Sequence, residues 1–153
     1  DAYNIFCCTG ILSNHESPLR PERFVTQKII KHVKEIKKGK RNYLTLGNVD
    51  IFRDWGWAPE YVNAIDLMLE SDEPLDYIIS SGSTHSLNEF VNLTFKFYGL
   101  NPDDHVRTNK EFIRPSDIKY SALNPKLIFD KLGWKSTKSI ENIVENMIIE
   151  RLF

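Results

Sequence analysis

Three polar loops of this 153-residue chain each contain one arginine flanked by apolar residues or proline. The loops span residues 14–20, 46–56 and 112–117, and their arginines are Arg20, Arg53 and Arg114. A guanidinium can form two parallel hydrogen bonds to a phosphate, so three such loops in one small domain favour an anionic ligand. For any one arginine taken alone, a structural ion pair is the commoner explanation, and the residues by themselves leave that alternative open.

The other reactive side chains form no self-sufficient catalytic or metal-binding motif. The seven glycines are scattered, whereas a dinucleotide fingerprint or a phosphate loop needs clustered glycines. The four histidines stand far apart, and the two cysteines lack partner ligands at the spacing of a zinc site. Because Cys7 and Cys8 are adjacent, they are poor disulfide partners, which predicts reduced thiols in a cytoplasmic protein.

Composition and charge limit the classes of partner. Apolar residues make up 41% of the chain and charged residues 27%, which is typical of a globular domain and not of a disordered chain. The net charge of −1 argues against a general nucleic-acid binder. No apolar run approaches the roughly 20 residues that a membrane span requires. We therefore expect partners other than nucleic acid or membranes.

Helical periodicity alternates along the chain with short apolar runs, which predicts an α/β fold. The predicted strands lie at 5–12, 43–46 and 76–80. The first predicted helix buries a face from Val25 to Ile36 and stops at Gly39, and the second begins near Pro59. A third begins at the capping box of Ser86 and ends at Gly99, a short fourth is capped by Asn124-Pro125 and stops at Gly133, and the last carries an apolar stripe from Ile140 to Ile148. Ligands of α/β sheets bind at the carboxyl ends of strands, where the polar loops are expected to lie.

Four finer expectations follow from the same patterns. The near-continuous apolar run 5–12 predicts a strand that is covered on both faces. Residues 13–18 and 101–114 are polar and are predicted to be loops. The second helix is predicted to present Val62, Ile65, Met68 and Leu69 to a core.

Several short motifs occur in order along nearly the whole chain. They are Gly-Ile-Leu at 10–12, Asn-His-Glu-Ser-Pro at 14–18, Leu-Gly-Asn at 46–48, Arg-Asp-Trp-Gly at 53–56, Asp-Glu-Pro at 72–74, Arg-Pro at 114–115 and Lys-Leu-Gly-Trp-Lys at 131–135. This succession resembles the GDP-mannose 4,6-dehydratases, which are extended short-chain dehydrogenases. The Asn-His-Glu-Ser-Pro run is the most specific of these motifs.

The resemblance implies that residues 1–153 form one unit, the C-terminal part of such an enzyme. This part comprises the end of a Rossmann-type sheet and a small substrate-binding domain. Family members begin with a glycine-rich NADP-binding segment and carry a catalytic Thr, a catalytic Glu and a Tyr-x-x-x-Lys pair, none of which has a counterpart here. The expectation is a fragment without catalytic residues that is inactive alone.

The resemblance also implies roles for eight residues. His15 and Arg20 would contact NADP. The others would hold a nucleotide sugar, namely Asn14 beside the sugar diphosphate, Val25 and Lys28 at the base, Arg53 and Arg114 at the pyrophosphate, and Asp117 at the ribose hydroxyls. The chemistry agrees, since two guanidiniums neutralise a diphosphate and a carboxylate accepts hydrogen bonds from a diol. The implied partners are GDP-mannose or a related nucleoside-diphosphate sugar and further copies of the protein in a homo-oligomer.

Departures from the family pattern leave alternatives open. Pro21 stands where many members have Gly, Gln27 replaces an Arg, Trp57 stands where His is common, and Asp117 is one methylene shorter than the usual Glu. The chain is therefore compatible with a related epimerase or reductase acting on a nucleoside-diphosphate sugar. A non-catalytic nucleotide-sugar binding module is the third hypothesis.

Overall fold

The computed structural model describes Tyr3, residues 5–113 and residues 116–153. Short strands alternate with helices along these residues. The strands are β1 (Gly10–Leu12), β2 (Asn14–Glu16), β3 (Leu44–Leu46), β4 (Phe52–Trp57), β5 (Tyr77–Ile79), β6 (Thr84–Ser86) and β7 (Val106–Thr108). The helices are α1 (Val25–Lys37), α2 (Ala58–Leu69), α3 (Leu87–Phe97), α4 (Pro102–His105), α5 (Lys126–Leu132) and α6 (Ile140–Ile148), with a 3-10 turn at Lys110–Phe112.

The strands form three small sheets whose pairing is mostly parallel. β1 pairs with β5 and β3 pairs with β7, both in parallel. In the third sheet β4 is central, with β2 parallel on one side and β6 antiparallel on the other. Helices that connect parallel strands confirm the predicted α/β class.

Two apolar clusters hold these elements together. The larger one joins α1, α3 and α6 to β3 and β4, and it contains Ile29, Phe90 and Ile143 at 0% exposure. The smaller one joins α2, α5 and β5 around Tyr61 and Ile128. The third sheet therefore lies beside both clusters and is firmly positioned.

The first apolar run is a shorter and more exposed strand than predicted. Only Gly10–Leu12 are in β1, and Ile5 and Ile11 are 70% and 52% exposed. Among the described residues β5 is the strand that pairs with β1, so the other edge of β1 is open. The prediction of a strand covered on both faces was wrong for these residues. An apolar run indicates that a strand tends to be buried, but it does not show which other elements pack against it.

The predicted loop at 13–18 contains β2. Its register places Asn14 opposite Trp55 and Glu16 opposite Trp57. Three polar residues form a strand here because β4 offers them a backbone partner and Pro18 then ends the pairing. The prediction of a loop was therefore wrong for residues 14–16.

Helix α2 turns a different face inward from the one predicted. Its buried residues are Tyr61, Ala64 and Met68, whereas Val62 and Leu69 are 57% and 62% exposed. The Tyr61 hydroxyl hydrogen-bonds with Ser13 Oγ at 2.6 Å, which fixes the rotation of the helix. This tertiary contact overrides the hydrophobic pattern, and of the four predicted core residues only Met68 is buried.

Residues 101–113 are also more ordered than the predicted surface loop. They contain α4, β7 and the 3-10 turn, and β7 pairs with Leu44–Leu46 of β3. The other helix predictions are confirmed. The stripe of α6 is buried as expected, and α5 ends at Gly133, whose φ of 67° is left-handed. No helix in the described part of the chain has the length and apolarity needed to cross a bilayer.

Candidate functional site

A cleft of about 560 Å³ opens between the start of α1, the loop that follows β3, and strand β4. The residues that line it are Asn14, Arg23, Phe24, Val25, Lys28, Leu46, Gly47, Asn48, Ile51, Arg53, Trp55, Leu87, Phe112 and Asp117. They include five of the eight residues singled out from the sequence, which are Asn14, Val25, Lys28, Arg53 and Asp117. A volume of this size matches a small-molecule site with apolar walls and a few placed polar groups.

Strand β4 places the arginine of the cleft. Arg53 Nη1 donates to the carbonyl of Phe52 at 2.8 Å, and Nη2 donates to Asp117 Oδ1 at 2.9 Å. The Arg53 side chain is 17% exposed and that of Asp117 is 29% exposed, so the pair is partly shielded from solvent. Two residues predicted to touch adjacent groups of one ligand thus contact each other directly.

Helix α1 places the lysine of the cleft. Lys28 Nζ donates to the carbonyl of Thr45 at 2.8 Å and lies 5.0 Å from the centre of the Phe112 ring. Burial lowers the pKa of Lys28, and the neighbouring charge of Arg41 lowers it further. Val25 is three residues earlier on the helix and therefore lies on the same side. The ammonium is held at one end of the cleft beside an aromatic ring.

Gly47 allows the 3-10 turn to approach the loop after β3. A Cβ atom at this position would lie 2.4 Å from the carbonyl oxygen of Phe112. Because the obstacle is backbone, a side chain at position 47 would push the turn away from the cleft. This close approach brings Phe112 over Lys28, a relationship that the sequence pattern did not reveal.

His15 and Arg20 lie outside this cleft. His15 Nδ1 is 2.9 Å from the carbonyl oxygen of Ser13, and since a carbonyl only accepts, Nδ1 carries the proton. The His15 ring lies 5.4 Å from that of Tyr61. Arg20 lies near Glu16, with 3.5 Å between Nε and Oε2. The two residues implied to touch NADP therefore do not line the cleft, although they lie beside residues that do: His15 follows Asn14 in β2, and Arg20 stacks on Phe24.

The remaining predicted residue, Arg114, and its neighbour Pro115 lie outside the described residues. The segment that follows them is anchored at strand β4, where Phe52 N donates to the carbonyl of Lys119 at 2.8 Å. The Phe52 and Tyr120 rings are 5.6 Å apart. The anchoring holds Asp117 close to the cleft.

Sequence reasoning missed a buried carboxylate, Asp54, which is 2% exposed. Its oxygens accept hydrogen bonds from the backbone amides of Ser81 and Gly82 at 3.0 and 2.9 Å, and from Ser13 Oγ at 3.0 Å. These contacts fasten the turn after β5 to the middle of β4. The sequence signal for this residue is its position between Arg53 and two tryptophans. A charged group beside large apolar side chains is expected to be buried, and burial of an unpaired charge would cost much free energy, so hydrogen-bond partners are expected.

Asp54 also affects the pKa of the neighbouring Tyr61 hydroxyl. Burial raises the pKa of Tyr61, although its hydrogen bond with Ser13 opposes the shift and the charge of Asp54 adds to it. Tyr61 is therefore neutral and acts here as a hydrogen-bonding core residue. No cluster of three metal-ligating side chains occurs within the described residues.

The chain's similarity to known proteins agrees with this arrangement. The family model for GDP-mannose 4,6 dehydratase matches residues 1–147. The chain belongs to the GDP-mannose 4,6 dehydratase family. The resemblance drawn from the short motifs is thereby confirmed.

Two relatives illustrate the extent of the match. GDP-mannose 4,6 dehydratase 1 of Arabidopsis thaliana is 40% identical over 152 residues, covering 99% of this chain and 42% of the relative. The human GDP-mannose 4,6 dehydratase is 36% identical over 165 residues, covering 97% of this chain and 44% of the relative. This dehydratase-family chain thus spans less than half the length of both relatives.

Solved structures support the fold. RMD from Pseudomonas aeruginosa, solved with NADPH, superposes with a TM-score of 0.88 at 18% identity, covering 97% of this chain and 48% of that one. The dTDP-glucose 4,6-dehydratase of Bacillus anthracis, solved with NAD, gives 0.78 at 18% identity, covering 92% of this chain and 42% of that one. The predicted α/β fold, that of the C-terminal part of an extended short-chain dehydrogenase, is confirmed.

Proposed function

We propose that this chain is the C-terminal, nucleotide-sugar-binding part of a GDP-mannose 4,6-dehydratase. The observation that carries the proposal is the single cleft lined by Asn14, Val25, Lys28, Arg53 and Asp117. These residues come from β2, α1, β4 and the segment after the 3-10 turn, so only the folded chain brings them together. Family membership supplies the sugar nucleotide that such a cleft is expected to hold.

Each end of the cleft suits one part of a nucleoside diphosphate. Lys28 uses one Nζ proton on the carbonyl of Thr45 and has two more to offer a base carbonyl. Val25 and Phe112 would cover the base with apolar surface. Arg53 would bind the diphosphate together with Arg114, and Asp117 would accept from the ribose hydroxyls.

The residues implied to contact NADP fit an anionic dinucleotide. With Nδ1 committed to Ser13, His15 has Nε2 left for a ligand. The Nη atoms of Arg20 donate no hydrogen bond to the described residues, so they can bind a phosphate. When bound, NADP supplies hydride acceptance and hydride return.

The proposed reaction of the whole protein oxidises C4 of the mannose, eliminates water across C5 and C6, and reduces C6. This chain would contribute binding energy and orientation, which hold the sugar in place for chemistry performed by residues elsewhere. We propose that a homo-oligomer carries out this reaction. The 153-residue chain alone is expected to show no turnover of GDP-mannose.

Calorimetric titration of the purified chain tests the proposal. GDP and GDP-mannose are expected to bind, and binding is expected to weaken in Arg53→Ala. Arg107→Ala is the matched control, because Arg107 lies 4.6 Å over the Tyr43 ring and outside the cleft. Equal affinity of wild type and Arg53→Ala for GDP would contradict the proposed site.

The departures from the family pattern, among them Trp57 where His is common, motivate one alternative. A related epimerase or reductase would use the same cleft with another nucleoside-diphosphate sugar. Competition among GDP-mannose, UDP-glucose and dTDP-glucose separates the two proposals. Preference for a uridine or thymidine nucleotide would favour the alternative. If none of the three nucleotide sugars binds, both proposals are contradicted.

A further inference from the structure

Strand β2 ends in a buried carboxyl group that the proposed site does not use. Glu16 is 1% exposed, and Thr26 Oγ1 at the start of α1 donates to its Oε2 at 2.7 Å. Glu16 is thus held from both sides, by pairing of its backbone with β4 and by the Thr26 hydroxyl on its side chain. A carboxyl group so well fixed can fix a neighbour in turn.

That neighbour is Arg20. Its guanidinium stacks on the Phe24 ring, with 3.6 Å between Cζ and the ring centre. Its Nε is buried, makes no hydrogen bond, and lies 3.5 Å from Glu16 Oε2. The side chain as a whole is 19% exposed, and its Nη atoms donate to none of the described residues. The guanidinium therefore points its Nε toward Glu16, and its two Nη atoms are available to a ligand.

We propose that Glu16 is a positioning residue for Arg20, which it aims at an anionic group of the bound nicotinamide cofactor. The inference rests on the proposed cofactor role of Arg20. A buried donor that makes no hydrogen bond is stabilised by a negative charge close to it, and the Glu16 carboxylate supplies that charge when it is ionised. Ionised Glu16 holds Arg20 against Phe24, and protonated Glu16 releases it.

The protonation of Glu16 falls within the neutral range. Burial raises the pKa of Glu16 to about 7, while the Thr26 hydrogen bond and the charge of Arg20 lower it. The other charged or titratable groups nearby are Arg23, which lies 5.1 Å from the centre of the Phe24 ring, and His15 with Tyr61 on the opposite side of β2.

Side-chain NMR of the full 153-residue chain tests the inference without any cofactor. The Glu16 carboxyl carbon is expected to titrate with a midpoint near 7, and the Arg20 Nε resonance is expected to shift with the same midpoint. Glu16→Gln is expected to abolish the Arg20 shift. A midpoint of Glu16 below 5, an Arg20 resonance that does not follow Glu16, or an Arg20 shift that persists in Glu16→Gln would overturn the proposal.

Two further variants keep the test decisive if Glu16→Gln does not fold. Thr26→Val removes the hydrogen bond that stabilises the carboxylate, so both midpoints are expected to move upward together. Glu22→Gln is the matched control, since Glu22 is exposed and pairs with Lys31, and it should move neither midpoint. Unchanged midpoints in Thr26→Val would also contradict the proposal. Failure of the chain to bind GDP would refute the proposed function and leave these resonances unaffected.

Discussion

Arg53 and Asp117 are 64 positions apart in sequence, yet Arg53 Nη2 donates to Asp117 Oδ1 at 2.9 Å. The pair lies in the cleft that also contains Asn14, Val25 and Lys28. A diphosphate that reaches Arg53 must share the guanidinium with this carboxylate or displace it. The charge of Arg53 is therefore balanced by Asp117 before a ligand arrives.

Removal of the guanidinium tests the proposed phosphate contact. Arg53→Ala is expected to weaken GDP binding by about 1.5–3 kcal/mol, or about 10- to 150-fold, because a charged hydrogen bond is lost and Asp117 is left unpaired. Calorimetry measures the change. Arg107→Ala should bind GDP like wild type, and an effect of the same size there would indicate a general loss of positive charge.

Removal of the carboxylate tests its competition for Arg53. Asp117→Asn is expected to strengthen the binding of inorganic pyrophosphate about two- to fivefold, since a partly exposed ion pair contributes about 0.5–1 kcal/mol. The gain should be smaller for GDP, which would lose the proposed acceptor of its ribose hydroxyls. Asp103→Asn, in helix α4 and not part of the cleft lining, is the control, and weaker pyrophosphate binding in Asp117→Asn would contradict the competition.

Glu16 should make folding stability depend on pH. Its folded pKa of about 7 lies above the ordinary value of 4.5, so the folded chain binds more protons than the unfolded chain between these values. The contribution of Glu16 to stability is therefore expected to fall by about 3 kcal/mol as the pH rises from below 4.5 to above 7. The lowered pKa values of Glu60 and Glu141 act in the opposite direction, so the quantity to measure by urea unfolding is the difference in stability between wild type and Glu16→Gln. That difference should fall over this pH range, whereas the difference between wild type and Glu22→Gln should stay constant.

Gly47→Ala tests the close approach of the 3-10 turn. The added Cβ would meet the Phe112 carbonyl at 2.4 Å, and we expect a loss of about 1–3 kcal/mol in unfolding free energy together with weaker GDP binding. Gly39→Ala is the matched control, because its Cβ meets open space but its φ of 67° disfavours alanine. It should lower stability by about 1 kcal/mol and leave GDP affinity unchanged. Normal GDP binding by Gly47→Ala would contradict the role of the turn.

The exposed apolar surface predicts self-association of the chain. Ile11 on the open-edged strand β1 is 52% exposed, and Val62 and Leu69 on α2 are 57% and 62% exposed. Sedimentation should show species larger than the 17.8 kDa monomer. Leu69→Gln should reduce their size, whereas Leu127→Gln on α5 should not. A clean monomer at micromolar concentration would contradict the prediction.

Much of the fold could be predicted because local patterns agree with tertiary packing. The stripe of α6, from Ile140 to Ile148, is buried as its spacing predicts, and Gly133 ends α5 in the left-handed conformation. Helix α2 is the contrary case. Val62 and Leu69 suit a buried face as well as Tyr61 and Ala64 do, and the bond from Tyr61 to Ser13 decides between the two faces.

The candidate site divides in the same way. The family motifs by themselves determine which residues are candidates, because residue types and their order are properties of the chain. Only the tertiary structure decided three further facts. It places five of these residues in one cleft, it pairs Arg53 with Asp117, and it raises the pKa of Glu16 to about 7 through burial. The physical reason is that the pKa and the interactions of a charged group depend on its burial and on its neighbours, and both are set by residues distant in sequence.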